Sequence, residues 1–240
     1  ANDFGTAGEP PTHPELLDWL ASEFVRGGWR LKPLHRLIVL SAAYQASAQG
    51  GRADPKGALL GRWRPRRLEA EAVRDSMLAV SGRLNTQQHG PSVYPTLARA
   101  VLEGQSRPGD GWGKSDENQQ ARRSVYVFVK RSLAVPELEL LDAPDTTSSC
   151  EARPVSTTAP QALTFLNGAF ANEQAAHFAA RLRREAGADP AAQVRRAFEL
   201  ALCRPPRDEE LKAAVAFLRR RRLEALCLVV LNLNEFVYLE

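Results

Sequence analysis

The chain has 240 residues, 44% of them hydrophobic, enough to bury one sizeable core with a helical end appended. Its 32 basic residues face 28 acidic ones for a formal net charge of +4, a balance that allows an acidic partner without requiring one. No run of about 18 apolar residues occurs, which excludes a membrane-spanning helix. The three cysteines, Cys150, Cys203 and Cys227, form no C-x-x-C that would ligate zinc or an iron–sulfur cluster or begin a haem-attachment site.

Ala1-Asn2-Asp3-Phe4-Gly5 has neither the basic nor the apolar region of a leader and lacks an initiator Met, so the chain reads as a piece excised from something longer. Residues 1–13 are turn-rich. Thr12 or His13 then caps a helix with Pro14 and Glu15 in its first turn, where a missing N–H costs nothing and an acid suits the dipole. Leu16, Leu17, Leu20, Phe24 and Val25 give it an apolar stripe, and Gly27-Gly28 end it. A second helix is predicted from Leu31 to Ala48. His35 lies in it with no second His, Cys or carboxylate at i+3 or i+4, so it reads as a histidine without a metal.

Beyond a loop at 52–57, residues 67–82 carry the clearest helical period of the first half, with Val73, Met77, Val80 and Leu84 as the buried stripe. Arg67, Glu71, Arg74 and Asp75 fall on the opposite side. They form either a solvated face of i,i+3 and i,i+4 pairs worth about 0.2–0.5 kcal/mol each, or a buried ionic network or site. Residues 85–121 are a long irregular excursion with a short helix near Leu97 to Leu102, and a loop of that length is mobile or functional. Within it Trp112, between two glycines, is a stacking platform for a sugar or base, or a tryptophan tucked onto the surface.

Ser124-Val-Tyr-Val-Phe-Val129 is the one strongly β-like run, and it has no second strand of comparable quality. The predicted fold is therefore mainly α, a multi-helix domain with long irregular loops and at most a minor β element. Further helices are predicted over 135–141, from Ala159 to about Ala186 with Gly168 weakening it by about 1 kcal/mol relative to alanine, and over 191–202. Asp208 caps the next, and the last runs from Leu223 to Val237. The whole reads as a single helical domain, 1–240, with 190–240 as a C-terminal helical subregion. Cys203 and Cys227 either bridge two C-terminal helices in an oxidising compartment or remain buried free thiols.

Between two of these helices lies DAPDTTSSCEARPVSTTAPQALTFLN, residues 142–167, whose hydroxyls, charges and prolines cannot fill a core. Such a loop is a rigid crossing or a functional surface. Asp142 and Asp145, with Glu71 and Asp75, are the candidate acid–base pair of a hydrolase, and Arg67, Arg123 or Arg153 would tune their pKa values or bind an anionic group. Paired carboxylates acting on a glycan need separations of roughly 5 to 9.5 Å. The structural alternative for Asp142-Ala-Pro-Asp145 is a capping turn whose carboxylates accept backbone N–H bonds. Asp142, Asp145, Arg153 and Gln161 are expected to converge with the Arg67/Glu71/Asp75 face into one network, because buried charges must satisfy one another.

Several segments together carry a family resemblance: Gly8 to Ala21, Leu34 to Tyr44, Arg66 to Asp75, Arg123 to Ser132, Asp142 to Thr147, Val155 to Leu163 and Asn232 to Phe236. They resemble the planctomycete secreted domain of unknown function. That resemblance implies an exported, mainly helical C-terminal module of a larger multidomain protein, with its natural end near Glu240. It implies the other modules of the same polypeptide as partners, often a cytochrome c-like one among them. Any haem c would belong to such a module, since this chain has no C-x-x-C-H and is expected to hold neither cofactor nor metal. Two positions depart from the family pattern: Cys203 stands where glycine is expected before Arg-Pro-Pro, and Gly168 replaces a more usual small polar residue.

Three functions follow. The chain lacks a nucleophile elbow, P-loop, metal-ligand cluster and dinucleotide fingerprint, which favours a noncatalytic structural or interaction module. The first alternative is a hydrolase of polysaccharide or another extracellular polymer, working through the aspartate pair. The second is a carbohydrate-binding module that uses Trp112, Tyr126 and the hydroxyl-rich loop. Nucleic acid is not an expected partner, because the basic clusters at 62–67 and 219–222 are separated and lack interleaved aromatics.

Overall fold

The structure, a computed structural model, describes residues 5–48, 59–61, 65–148, 150 and 152–239. The N-terminal residues 1–4, the expected loop at 52–57, residues 62–64 of the basic stretch and Glu240 lie outside the described residues. Contacts divide the chain into two compact units, Ala1–Arg66 with Leu239–Glu240, and Arg67–Tyr238. The mainly α fold read from the sequence is what the structure shows. Its minor β element is a two-stranded pair, β1 (Arg66–Arg67) with β2 (Tyr238–Leu239).

The first unit contains α1 (Pro14–Arg26) and α2 (Leu31–Val39). His13 takes the N-cap position, with Pro14 at the first helical position. The helix ends at Gly27, Gly28 follows at φ 71°, and Phe24 meets Trp29 edge-on at 5.3 Å. α2 stops well short of the predicted Ala48. The Ser41 hydroxyl donates to the Ile38 carbonyl at 2.7 Å and accepts the Tyr44 N–H at 3.2 Å, taking up backbone groups that a continuing helix would use. Neither helix holds a buried residue, and Leu17 and Val25 of the predicted stripe are more than half exposed.

The second unit is built around α8 (Ala169–Ala186), whose Ala171, Ala175, Phe178, Ala179 and Leu182 recur at helical spacing and are all buried. Burying Phe178 and Leu182 completely contributes about 1.5–3 kcal/mol each. Against α8 pack α3 (Ala70–Ser81), α7 (Ala159–Asn167), α9 (Pro190–Leu202) and α11 (Leu223–Leu231). α10 (Asp208–Leu218) and α12 (Asn234–Val237) close the C-terminal side.

Sequence chemistry places most of these ends. Asp189 accepts the backbone N–H groups of Ala191 and Ala192 at the start of α9, with Pro190 at the first position. For α10 the cap is Arg207 rather than the predicted Asp208, because the Glu210 carboxylate reaches back to the Arg207 N–H at 2.7 Å. The predicted helix from Ala159 to Ala186 is two helices that meet at Gly168, whose ψ of 139° leaves the helical region. A Cβ added at Gly168 would lie 2.4 Å from the Thr164 carbonyl oxygen, so the break depends on glycine.

α3 starts at Ala70, not Arg67, and buries Val73, Met77 and Val80 as its period requires. Arg74 is buried too, so the polar face is not the solvated one that ion-pair spacing allows. Four short elements lie between α3 and α7: α4 (Arg99–Glu103), α5 (Glu117–Gln120), a 3-10 turn at Ser124–Tyr126 and α6 (Pro136–Glu139). The β-like run at 124–129 is this turn followed by a single bridge from Val127 to Val93. Its strand propensity is overridden because Asp75 accepts both the N–H and the hydroxyl of Ser124 at 2.7 Å, which fixes the turn. Val93, Val127 and Val135 form a small second core there, with Trp112 and Tyr126 against it.

All three cysteines are free thiols, Cys203 exposed and Cys227 buried. Burial pushes the Cys227 thiol up to about 12, so it is an inert core residue. Cys203 follows α9 at φ 55°, in the left-handed region, which explains why glycine is expected there. Cys203→Gly is expected to stabilise the chain by about 1 kcal/mol, since the side chain is exposed and only the strained backbone changes. Thermal unfolding of the variant should begin about 2–4 °C higher; an unchanged midpoint would mean that the left-handed turn costs nothing.

Candidate functional site

The loop from Asp142 to Thr158 crosses the entry to α3 and the start of α7, and there the predicted polar residues divide into local clusters. In the first, Asp142 adopts φ 62°, a left-handed conformation that a short polar side chain tolerates. Its carboxylate receives the guanidinium of Arg67, the Ser156 N–H at 2.7 Å, the Ser156 hydroxyl at 2.8 Å and, at 3.4 Å, the Gln161 amide. Gln161 also donates to Ser156 Oγ at 2.9 Å and accepts the Thr158 N–H at 3.1 Å, which ties the loop to the first turn of α7.

Arg67 is only 5% exposed and adds a bond of 3.1 Å to the Leu141 carbonyl. Burial pushes the Asp142 carboxyl up, but the two Ser156 donors, the Arg67 cation and the Gln161 amide more than reverse that push and hold it below the usual carboxylate range.

Arg153 stands in a second cluster. Its guanidinium bonds Glu71 at 2.6 Å and lies 3.3 Å from Glu69, so the cation that the α3 face calls for comes from the central loop. Asp75 belongs to a third, centred on Ser124. Arg74 donates there to the Ser124 hydroxyl and the Arg122 carbonyl, both at 3.1 Å, and to the Gln120 carbonyl at 2.6 Å. Arg123, more than half exposed, approaches Asp75 only to 3.8 Å. Glu71 and Asp75 thus coexist four residues apart because each faces a different arginine.

Asp145 takes no part in these clusters. It is exposed and accepts the Thr147 N–H at 2.9 Å, the Thr147 hydroxyl at 2.6 Å and the Ser148 hydroxyl at 3.1 Å, an Asx-type turn. The Thr147 bonds, joined by Ser148, hold its carboxyl below the ordinary range. Trp112 is half-buried. It packs edge-on to Tyr94 at 5.6 Å and to Phe128 at 6.1 Å and donates its indole N–H to the Pro95 carbonyl at 3.2 Å.

Three anchoring groups escaped the sequence reading. Ser156 is one hydroxyl among seven in the loop, and only its place five residues before Gln161 marks it. Arg122, fully buried, donates to the Pro91 carbonyl at 3.0 Å and to that of His89, and its guanidinium stacks 3.9 Å from the centre of the Tyr126 ring. Arg204 grips Glu235 at 2.5 and 2.7 Å and Glu210 at 2.8 and 2.9 Å. The bonds to Arg204 are the main cause that lowers the Glu210 carboxyl to about 2.

A cavity of about 420 Å³ in the second unit lies beside α3, α6 and the break between α7 and α8. Asp142, Asp145, Glu71 and Asp75 do not line it. Among the described residues no group of three or more His, Cys, Asp or Glu is placed to hold a metal ion, and no helix is long and apolar enough to cross a membrane.

A family model described as PSD1, Protein of unknown function (DUF1553), matches residues 1–218. Neither a curated protein nor a solved structure matches the chain.

Proposed function

Since the chain belongs to the PSD1 family of proteins of unknown function, we propose that it is a noncatalytic structural or interaction module of an exported multidomain protein. The observation that carries this reading is the saturation of Asp142, which receives four donors and lies below the usual carboxylate range. A general acid must hold its proton near the working pH, and a general base must offer a free lone pair to substrate. Asp142 is suited to neither, Asp145 closes its own turn, and the cavity lies elsewhere. The loop is then a clasp that joins the entry of α3 to the start of α7.

The resemblance to secreted planctomycete modules supports export and a neighbouring haem-bearing module, with the other modules of the polypeptide as partners. The test is reducing-end release from soluble β-glucan, xylan and chitin oligosaccharides, measured on the chain and on Asp142→Asn. No turnover is expected from either, and Asp142→Asn should lose about 1–2 kcal/mol of stability as the charge-assisted bonds weaken. Turnover that disappears in a folded Asp142→Asn protein would establish the hydrolase reading instead.

A further inference from the structure

We propose that the cavity beside α3, α6 and the α7–α8 break is a binding site for an amphipathic organic cation, an apolar body carrying one amine. Its volume of about 420 Å³ falls within the range of small-molecule sites. Met77, Leu138, Leu141, Phe165 and Phe170 supply apolar wall. The break at Gly168 keeps it open, because Gly168, Ala169 and Phe170 all line it where a continuous helix would run straight.

Two polar groups on that wall lack the partners that buried polar groups normally find. Gln174 is 3% exposed, and the Ser81 hydroxyl at 2.8 Å occupies one of its two amide atoms. The other, the Nε2 donor, has no partner among the described residues, and Gln174 lines the cavity. Glu137, half-buried in the first turn of α6, makes neither a hydrogen bond nor a close ion pair among the described residues. It acts on Arg74 only through the longer-range field, against the burial that lowers that guanidinium.

The cations at the cavity are already committed. Arg74 is bonded to two carbonyls and a hydroxyl, and Arg83 faces Glu117 at 3.6 Å on the rim. Glu173, also on the wall, is exposed and 3.6 Å from His177. Among the described residues, the carboxylate on the wall with neither a hydrogen bond nor a close ion pair is therefore Glu137. An ammonium brought against it in partly enclosed, apolar surroundings gains more than it would in water.

This inference is independent of the clasp, so its failure would leave the role of Asp142 untouched. The experiment is calorimetric titration of the whole chain with phenylbutylamine, phenylbutanol and phenylbutanoate, three probes of like shape and different charge. The amine is expected to saturate with a Kd below about 1 mM, with the alcohol at least about tenfold weaker and the carboxylate weaker still. In Glu137→Gln the amine should fall to the level of the alcohol while the alcohol itself is unchanged. Equal binding of amine and alcohol to the wild-type chain overturns the proposal, as does no saturation by the amine. An amine preference that survives Glu137→Gln overturns it as well. The wild-type charge series decides the matter even if the variant folds poorly.

Discussion

Replacing Arg67 with methionine is expected to lower the unfolding free energy by about 3 kcal/mol, measured by urea denaturation with the slope unchanged. Removing one partner of a buried ion pair costs about 3–5 kcal/mol because the other charge is left without compensation. Two features place Arg67 at the low end of that range. The Asp142 side chain is 17% exposed, so water relieves part of the loss. The Nε and Nη1 groups of Arg67 are buried without partners, a cost that methionine removes.

The pH dependence gives a second measure. The Asp142 carboxyl is depressed in the folded state, so the unfolded chain binds the proton more readily. The stabilisation is complete above the ordinary aspartate value of about 3.9 and is lost as pH falls through the lower, folded value. Arg67→Met should shrink that acid-side loss. A variant that loses less than about 1 kcal/mol would show that Ser156 and Gln161 hold the loop without the arginine.

Arg122→Met is expected to cost about 2–3 kcal/mol, and to do so locally. The methionine occupies the stem of the arginine but leaves the His89 and Pro91 carbonyls without their donors and Tyr126 without its cation. Those carbonyls belong to exposed residues that water can reach, which keeps the cost from rising further. Amide exchange should quicken at His89, bonded to Tyr126 Oη, and at Val93, bonded to the Tyr126 carbonyl, while α8 and α11 stay protected. Arg122→Lys should not rescue the loop, since one ammonium cannot reproduce the planar fork that spans both carbonyls. Equal loss of protection in α8 would mean that Arg122 supports the whole core.

The helices were legible where a periodic apolar stripe coincided with end signals, as in α9, with Asp189-Pro190 before it and Arg204-Pro205-Pro206 beyond. Reading failed where a side chain captured backbone groups. Ser41 stops α2 early, and Asp75 bends the valine-rich run at 124–129 into a turn. The second leaves no trace in periodicity, because the partner of Ser124 lies 49 residues away.

The same limit governed the candidate site. Asp142, Arg67 and Gln161 stood out as charges and amides that a core could not accept unpaired, and the structure brings those three together. Asp145 carries the same chemistry, but its partners are its own neighbours, Thr147 and Ser148. Arg122 and Arg123 are adjacent cations of the same chemistry in the sequence, and only the loop folded over Arg122 distinguishes the pair.

The order in which the chain gathers itself follows from the position of α8. Its partners α7, α9 and α11 all come from residues 159–231, so this part closes through short loops. α3 reaches the same helix only across a long intervening chain, through Ser81 to Gln174, 93 residues apart, and Arg181 to the Val80 carbonyl, 101 apart. Chain entropy sets the larger cost on that second closure. The C-terminal helices are thus expected to form the template on which α3 condenses, with the Arg67 clasp, anchored just ahead of α3, setting after that helix has docked.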